Sequence, residues 1–221
     1  MDRIEELKSR IIESSTILFM EHGYRNTSMR MIGQESGISH TQVIYHYTSK
    51  SSLASIIIKN YFELLVEMVL SHNISIDKKN HHTNKLLWWS YHYLILTSFD
   101  KFSKFYLEFI TDESDTFLES AKSVVPKVYT EMFGLVVDLR NKSHLADLYI
   151  LISVDLMMTR LCINKVLKVR QAIHKLLNLE IIEGFRLSIT ENEIEDFILE
   201  NKMLDIISDF DPISLGKCEQ S

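Results

Sequence analysis

The stretch Ser28-Met29-Arg30-Met31-Ile32-Gly33-Gln34-Glu35-Ser36-Gly37-Ile38-Ser39-His40-Thr41-Gln42-Val43-Ile44-Tyr45-His46 holds two short helical patterns around one glycine. Asn26-Thr27-Ser28 is a cap signal, and a short helix follows through Met29, Ile32 and Glu35. Gly37-Ile38-Ser39 is a three-residue turn. Ser39 and Gln42 stand in the S-x-x-Q spacing of a capping box, which starts another helix at about residue 40. That helix is short, because Thr48-Ser49 signals a new cap. Upstream, Ile4, Leu7, Ile11, Ser14, Ser15 and Leu18 share one face at helical spacing, with Phe19 beside it, and Gly23 closes a helix over 2–22. Three short helices with a tight glycine turn between the second and third describe a helix-turn-helix. In that motif one helix crosses a DNA backbone and the next enters the major groove, where base pairs show distinguishable donors and acceptors. The third helix carries Ser39, His40, Thr41, Gln42, Tyr45 and His46, small or hydrogen-bonding side chains suited to a groove.

The rest of the composition fits a helical chain. Of 221 residues, 6 are Gly and 2 are Pro. Together they make about 4%, against a typical ~12%. A β-sandwich or barrel needs a turn every ~8–12 residues, and this chain lacks the turn residues. Three of the six glycines, Gly23, Gly33 and Gly37, cluster near the N-terminus. No uncharged apolar run reaches ~18–20 residues, so no membrane span is expected. The N-terminal residues show no apolar signal-peptide core, and Cys162 and Cys218 are solitary, which suits a reducing cytoplasm. Residues 1–60 hold seven Lys/Arg and six Asp/Glu (+1), and the remainder seventeen and twenty-four (−7), giving the net −6. A near-neutral head on an acidic body allows DNA contact at the head only.

Beyond the head, residues 50–71 read as a long connecting helix, and Asp77–Asn84 as a loop or helix start. Leu86–Thr97 is apolar nearly all round and predicts a buried helix. Phe99, Phe102, Phe105, Tyr106 and Phe109 lie within a third of the next helix's circumference at ~100° per residue. Thr111-Asp112-Glu113 caps another start. Val125-Pro126 predicts a break, followed by a helix to about Arg140. Ser143 caps a helical region from 144 to about 187, read as two helices with an unmarked joint. Thr190 and Glu193 form a capping box for a last helix that ends near Asp211-Pro212. The expected fold is all-α, with a helix-turn-helix domain over 1–48 and a larger domain over 49–221.

Ile11-Ile12-Glu13-Ser14-Ser15-Thr16-Ile17-Leu18-Phe19, Gly23-Tyr24, Thr27-Ser28, Ile32, Gly37-Ile38-Ser39, Tyr45-His46-Tyr47 and Ser49-Lys50 resemble the N-terminal domain of TetR-type (tetracycline-repressor type) transcriptional regulators. The resemblance covers about residues 8–53. It departs at Ser14, Ser15, Gly33 and Ser36, where the family favours Ala, at Ile44, where it favours an aromatic, and at Tyr47, where it often has Phe. The resemblance implies that Thr27 or Ser28 caps the second helix and meets a phosphate. It implies that His40, Thr41 and Gln42 face base edges, that Tyr45 and His46 contact phosphate or base, and that Lys50 pairs with a phosphate. Arg30 reads equally as a solvated helix charge or a phosphate contact, Gln42 also as the capping-box partner, and Tyr47 as core.

The resemblance further implies a homodimer whose C-terminal domain binds a small-molecule effector. The sequence permits both. Leu145, Leu148, Ile152, Leu156, Thr159, Ile163 and Val166 form one stripe, and Val154, Met157, Met158 and Leu161 cover the opposite side. A helix apolar all round needs burial on every side, as at a two-fold interface. Trp88, Trp89, Tyr91, Tyr93, Phe102, Phe105, Tyr106 and Phe109, with Met132, Phe133 and Met158, are the candidate pocket residues. Asp155 falls inside the apolar arc and needs a partner, either Arg160, a dimer-mate residue or the ligand. His81-His82 has no further metal-ligand spacing. No P-loop, GxGxxG, GxSxG or HExxH is present, so neither a cofactor nor an enzymatic activity is expected. The combined expectation is a cytoplasmic, dimeric, ligand-responsive regulator, a repressor on a palindromic operator. The alternatives are an activator or architectural DNA binder without an inducer, and a helical carrier or enzyme with a vestigial head.

Overall fold

A computed structural model describes residues 3–72, 81–135, 137–179 and 186–217. Among them every regular element is helical. The order is α1 (Arg3–His22), α2 (Met29–Glu35), α3 (His40–His46), α4 (Lys50–His72), α5 (His81–Ser98), α6 (Asp100–Asp112) and α7 (Ser114–Lys127). One π-helical turn (Val128–Met132) follows. Then come α8 (Lys142–Ile163), α9 (Val169–Leu177), α10 (Glu191–Glu200), α11 (Met203–Ile207) and a 3-10 turn (Pro212–Gly216). Cys218, residues 77–80 of the anticipated loop and residues 180–185 of the anticipated helical region lie outside the described residues.

The chain divides into two compact units. The first is Met1–Glu63, Phe99–Ser123 and Asp211–Ser221; the second is Leu64–Ser98 and Val124–Phe210. This differs from a division at residue 48. The first half of α4, α6, most of α7 and the 3-10 turn join the helix-turn-helix rather than the body. The physical reason is aromatic packing. Phe19 of α1 stacks on Phe105 at 5.0 Å, Tyr24 meets Phe109 edge-on at 5.3 Å, and Tyr61 of α4 meets Phe102 at 4.9 Å. Phe117 of α7 closes on Phe62, Tyr106 and Phe109. Each such pair adds ~0.5–1.5 kcal/mol beyond its area burial. Phe102, Phe105, Tyr106 and Phe109, candidate pocket residues on sequence grounds, are therefore the core of the first unit.

In the second unit α5 is buried all round, from Asn84 to Leu96. It packs on α8, α9, α11 and the π-helical turn, as its continuous apolar run requires. The joint left open between 144 and 187 falls at residues 164–168, where Lys165 takes a positive φ of 59°. Two other expectations are corrected. Pro126 does not end its helix. The chain stays helical to Lys127 and then widens into the π turn, closed by Phe133 N–H on the Val128 carbonyl at 3.2 Å. No helix reaches Arg140. The last helix is also broken, because Lys202 turns left-handed at φ 49° and separates α10 from α11.

Candidate nucleic-acid interface

The second and third helices are built by their caps. Ser28 Oγ accepts from Met31 N–H at 3.3 Å and opens α2. Gly37, at φ +68°, supplies the left-handed residue of the turn, where a side chain would be strained. Ile38 N–H then returns to the Gly33 carbonyl at 2.9 Å. A Cβ on Gly33 would stand 3.0 Å from the Ile38 carbonyl and 3.2 Å from the His40 nitrogen, so α2 and α3 meet nearly backbone to backbone. Ser39 opens α3 with the anticipated box: its Oγ accepts from Gln42 N–H at 3.2 Å, and Gln42 Oε1 accepts from Ser39 N–H at 3.0 Å. Ile32 and Val43, both fully buried, are the apolar link beneath.

That arrangement leaves one face of α3 open. Ser39, His40, Thr41, Gln42 and Ile44 are exposed, His46 is half-buried, and Tyr45 is 84% exposed. The Tyr45 and His46 rings meet edge to face at 5.1 Å, which holds the tyrosine outward. The Gln42 carbonyl oxygen serves the cap, and its amide faces solvent with the rest. Ser28 and Arg30 are exposed at the start of α2.

Two of the anticipated contact residues have partners within the chain. Thr27 is 2% exposed, and its hydroxyl lies 2.8 Å from the Gly23 carbonyl and 3.1 Å from that of Leu18. It seals the corner between α1 and α2, and the cap is Ser28 alone. Lys50 is half-buried. Its Nζ donates to the Tyr24 carbonyl at 2.7 Å and sits 4.0 Å over the Tyr24 ring, so it ties the start of α4 to that corner. Burial draws the Lys50 ammonium pKa down, against the upward pull of Glu113, Asp112 and Glu108.

Those carboxylates belong to a network absent from the sequence reading. Tyr24 Oη donates to Glu113 at 2.7 Å. Arg25 makes a two-pronged pair with Asp112 at 2.8 and 2.7 Å, and its backbone N–H donates to Glu108 at 2.9 Å. Lys104 Nζ donates to the His22 carbonyl at 3.0 Å. The signal was present in the spacing: Glu108 and Asp112 stand four apart on one face of α6, with Glu113 beside them. Burial and the Glu113 bond push the Tyr24 phenol well above its usual range, and the Arg25 bond holds Asp112 below the usual carboxylate range.

The second unit holds the remaining polar group of interest. Asp155 is buried. Its carboxylate accepts from Tyr93 Oη at 2.8 Å and lies 3.4 Å from His92 Nε2. Burial and the nearby Asp155 charge push the Tyr129 phenol up and the Cys162 thiol up to about 12. Among the described residues, Trp89 Nε1, Ser90 Oγ and Thr159 Oγ1 are buried without a hydrogen-bond partner. Trp89 stacks on Tyr93 with centroids 6.1 Å apart, and Trp88 meets Phe133 at 6.2 Å. Tyr91 Oη and His72 Nδ1 share a hydrogen bond at 2.7 Å, and the Met132 carbonyl accepts from His81 Nδ1 and Asn84 Nδ2. Met158 departs from this group. With Tyr149, Ile150, Ser153, Val154 and Met157 it lines an apolar groove of about 430 Å³ on the outside of α8. Among the described residues no group of three or more metal-capable side chains occurs, and no helix is long and apolar enough to cross a membrane.

The family described as bacterial regulatory proteins, tetR family, matches residues 11–55, the span from mid-α1 into α4. The chain is 22% identical over 143 residues to the biofilm operon icaADBC HTH-type negative transcriptional regulator IcaR of Staphylococcus epidermidis, covering 63% of this chain and 72% of that one. Two solved structures are similar at 14% identity. A SmeT–triclosan complex aligns over 78% of this chain and 90% of its own with a TM-score of 0.48. SmeT, repressor of the Stenotrophomonas maltophilia multidrug efflux pump SmeDEF, aligns over 77% and 86% with a TM-score of 0.44. The matched residues are those that build the caps, the Gly37 turn and the open face of α3, and over this span the chain is similar to the tetR family of bacterial regulatory proteins.

Proposed function

We propose that this chain is a repressor that binds a palindromic operator as a homodimer and leaves it when a small molecule enters the second unit. The observation that carries the DNA half is the face of α3, fixed by a capping box and bearing His40, Thr41, Gln42 and Tyr45 in solvent. In this reading His40, Thr41 and the Gln42 amide read base edges, and Tyr45 and His46 contact phosphate or base. Ser28, Arg30 and Ser39 hold the backbone, fixing register while the base contacts specify sequence. Thr27 and Lys50 act from behind, by holding the corner.

The bare side of α8 supports the dimer. Leu148, Leu151, Ile152 and Thr159 face the unit's own core, whereas Ile150 and Met157 are each 51% exposed beside the apolar groove. A second copy covers that face by two-fold symmetry, which sets two recognition helices about one DNA turn, ~34–36 Å, apart. The effector reading rests on the core of the second unit, where the Asp155 carboxylate and three polar atoms without partners are buried. Buried polar atoms without partners each cost ~1–3 kcal/mol, and a ligand that satisfies them recovers that energy. By linkage the ligand favours whichever conformer it binds better, with a coupling of ~1–3 kcal/mol.

Selection from random duplexes tests the DNA half. Enrichment of an inverted repeat with half-sites about one turn apart is expected. Enrichment of no sequence sinks the reading. A thermal-shift screen of small molecules, repeated on Asp155→Asn, tests the effector half: a compound that stabilises the wild type and not the variant is expected.

A further inference from the structure

We infer that the segment from Asp211 to Gly216 is a working part of the DNA-binding head: a clasp that positions α1 against α4. The inference rests on the DNA-binding reading for one of its two readouts only. The turn is locally encoded. Asp211 Oδ1 accepts from Ile213 N–H at 3.0 Å, and Pro212 holds the first helical position, where its missing N–H costs nothing. The Asp211 carbonyl accepts from both the Ser214 N–H at 3.0 Å and the Ser214 hydroxyl at 2.6 Å. The segment therefore arrives as a preformed turn.

It is seated on two helices of the first unit at once. On α4, Asn60 Nδ2 donates to the Leu215 carbonyl at 2.7 Å, across 155 positions of sequence. On α1 the Gly216 backbone lies directly against the Thr16 side chain and the Glu13 main chain. A Cβ at Gly216 would stand 2.5 Å from Thr16 Oγ1, 2.9 Å from Thr16 Cβ and 3.0 Å from Glu13 Cα. No side chain fits at residue 216. Thr16 is fully buried there, and its hydroxyl is satisfied within α1 by the Ile12 carbonyl at 2.9 Å. Leu215, 3% exposed, adds the apolar anchor. A head of about 60 residues buries a comparatively small share of its surface and is marginal alone. The clasp, with α6, supplies what residues 1–63 lack. α1 packs directly on α2, and α2 on α3. Fixing α1 against α4 thus sets where α3 stands. Asn60, Leu215 and Gly216 are positioning residues for DNA binding and touch no DNA themselves.

The test compares Gly216→Val and Asn60→Ala with the wild type in the full chain. The two readouts are affinity for the selected duplex and amide hydrogen exchange helix by helix, both well below the unfolding temperature. Gly216→Val is expected to weaken duplex binding at least tenfold and to speed exchange in α1 residues 11–20 at least tenfold, while α2 and α3 keep wild-type protection. Asn60→Ala is expected to act in the same direction, more weakly, and to add little to Gly216→Val, as coupled sites do. Unchanged affinity with unchanged α1 exchange overturns the inference. Simultaneous loss of protection in α1, α2 and α3 also overturns it, because the segment is then a general stabiliser. If the wild type selects no duplex, the DNA-binding reading has failed, and exchange in α1 still decides the clasp.

Discussion

Tyr45 and Lys50 lie five positions apart and look alike on paper as DNA contacts, yet their surroundings divide them. Tyr45 is 84% exposed, and its ring meets only that of the neighbouring His46 among the described ring contacts. Tyr45→Ala is expected to leave stability within about 0.5 kcal/mol of wild type, as surface changes do, and to weaken duplex binding about tenfold. Lys50 has its ammonium on the Tyr24 carbonyl and ring. Lys50→Ala is expected to cost about 1.5–3 kcal/mol in urea denaturation, the worth of a hydrogen bond to a charged group. Equal and small stability changes for both would show that the corner contact carries no energy. The family resemblance marked both residues as candidates and could not separate them, because the partner carbonyl of Lys50 is 26 positions away. Cys162 makes a second residue-scale prediction. Its thiol is 4% exposed, with its pKa pushed up to about 12. At pH 8 the thiolate fraction is then ~10³-fold smaller than for an ordinary thiol. In a Cys218→Ser background, alkylation of the native protein is expected to be at least that much slower than in denaturant. Comparable rates would mean that the second unit opens readily.

Elements whose ends are written in their own side chains were readable in advance. The three-helix head followed from Ser28, Gly37 and the Ser39–Gln42 box, and α10 began at its Thr190–Glu193 box. Ends decided by tertiary packing were not. The left-handed Lys202 that splits α10 from α11 carries no glycine or proline signal, and the π turn after Pro126 reads locally as a break. The box at α3 is the element on which the interface depends, since the helix has only seven residues and cannot persist without its cap and its packing. Ser39→Ala is expected to cost about 1 kcal/mol. Its effect on duplex binding should exceed that of Thr190→Ala, which removes the same kind of cap far along the chain from α3. Equal effects of the two variants on binding would show that global stability, not the cap of α3, governs affinity.

At the scale of the whole molecule, the sequence indicated a head and a body but not which helices each would hold. Aromatics spaced along α6 read equally well as pocket or core, and only their partners Phe19, Tyr24 and Tyr61 decide it. Each unit also has a pH signature, Asp112 in the first and Glu193 in the second. Arg25 holds Asp112 below its ordinary 3.8, and Thr190 holds Glu193 below its ordinary 4.5. In both cases the unfolded chain binds more protons between the folded and ordinary values. The stabilisation is therefore complete above the ordinary values and is lost as pH falls through the folded ones. Tm is expected to fall from about pH 4.5 downward, and Arg25→Met should flatten that limb; an unchanged limb would remove Asp112 from the account. Assembly is tested at the outer face of α8. Ile150 and Met157 are each 51% exposed in a single chain, so a charge at either costs the unit's own core little. A two-fold interface presents the same patch from both copies, so each substitution enters twice and like charges face each other without water. The double variant Ile150→Glu, Met157→Glu is thus expected to sediment as a monomer while keeping wild-type exchange in α5 and α9. Its affinity should fall at least 100-fold for a duplex with two half-sites and hardly at all for one half-site. A variant that still sediments as a dimer would place the interface elsewhere. A monomer that keeps full two-site affinity would separate dimerisation from operator binding.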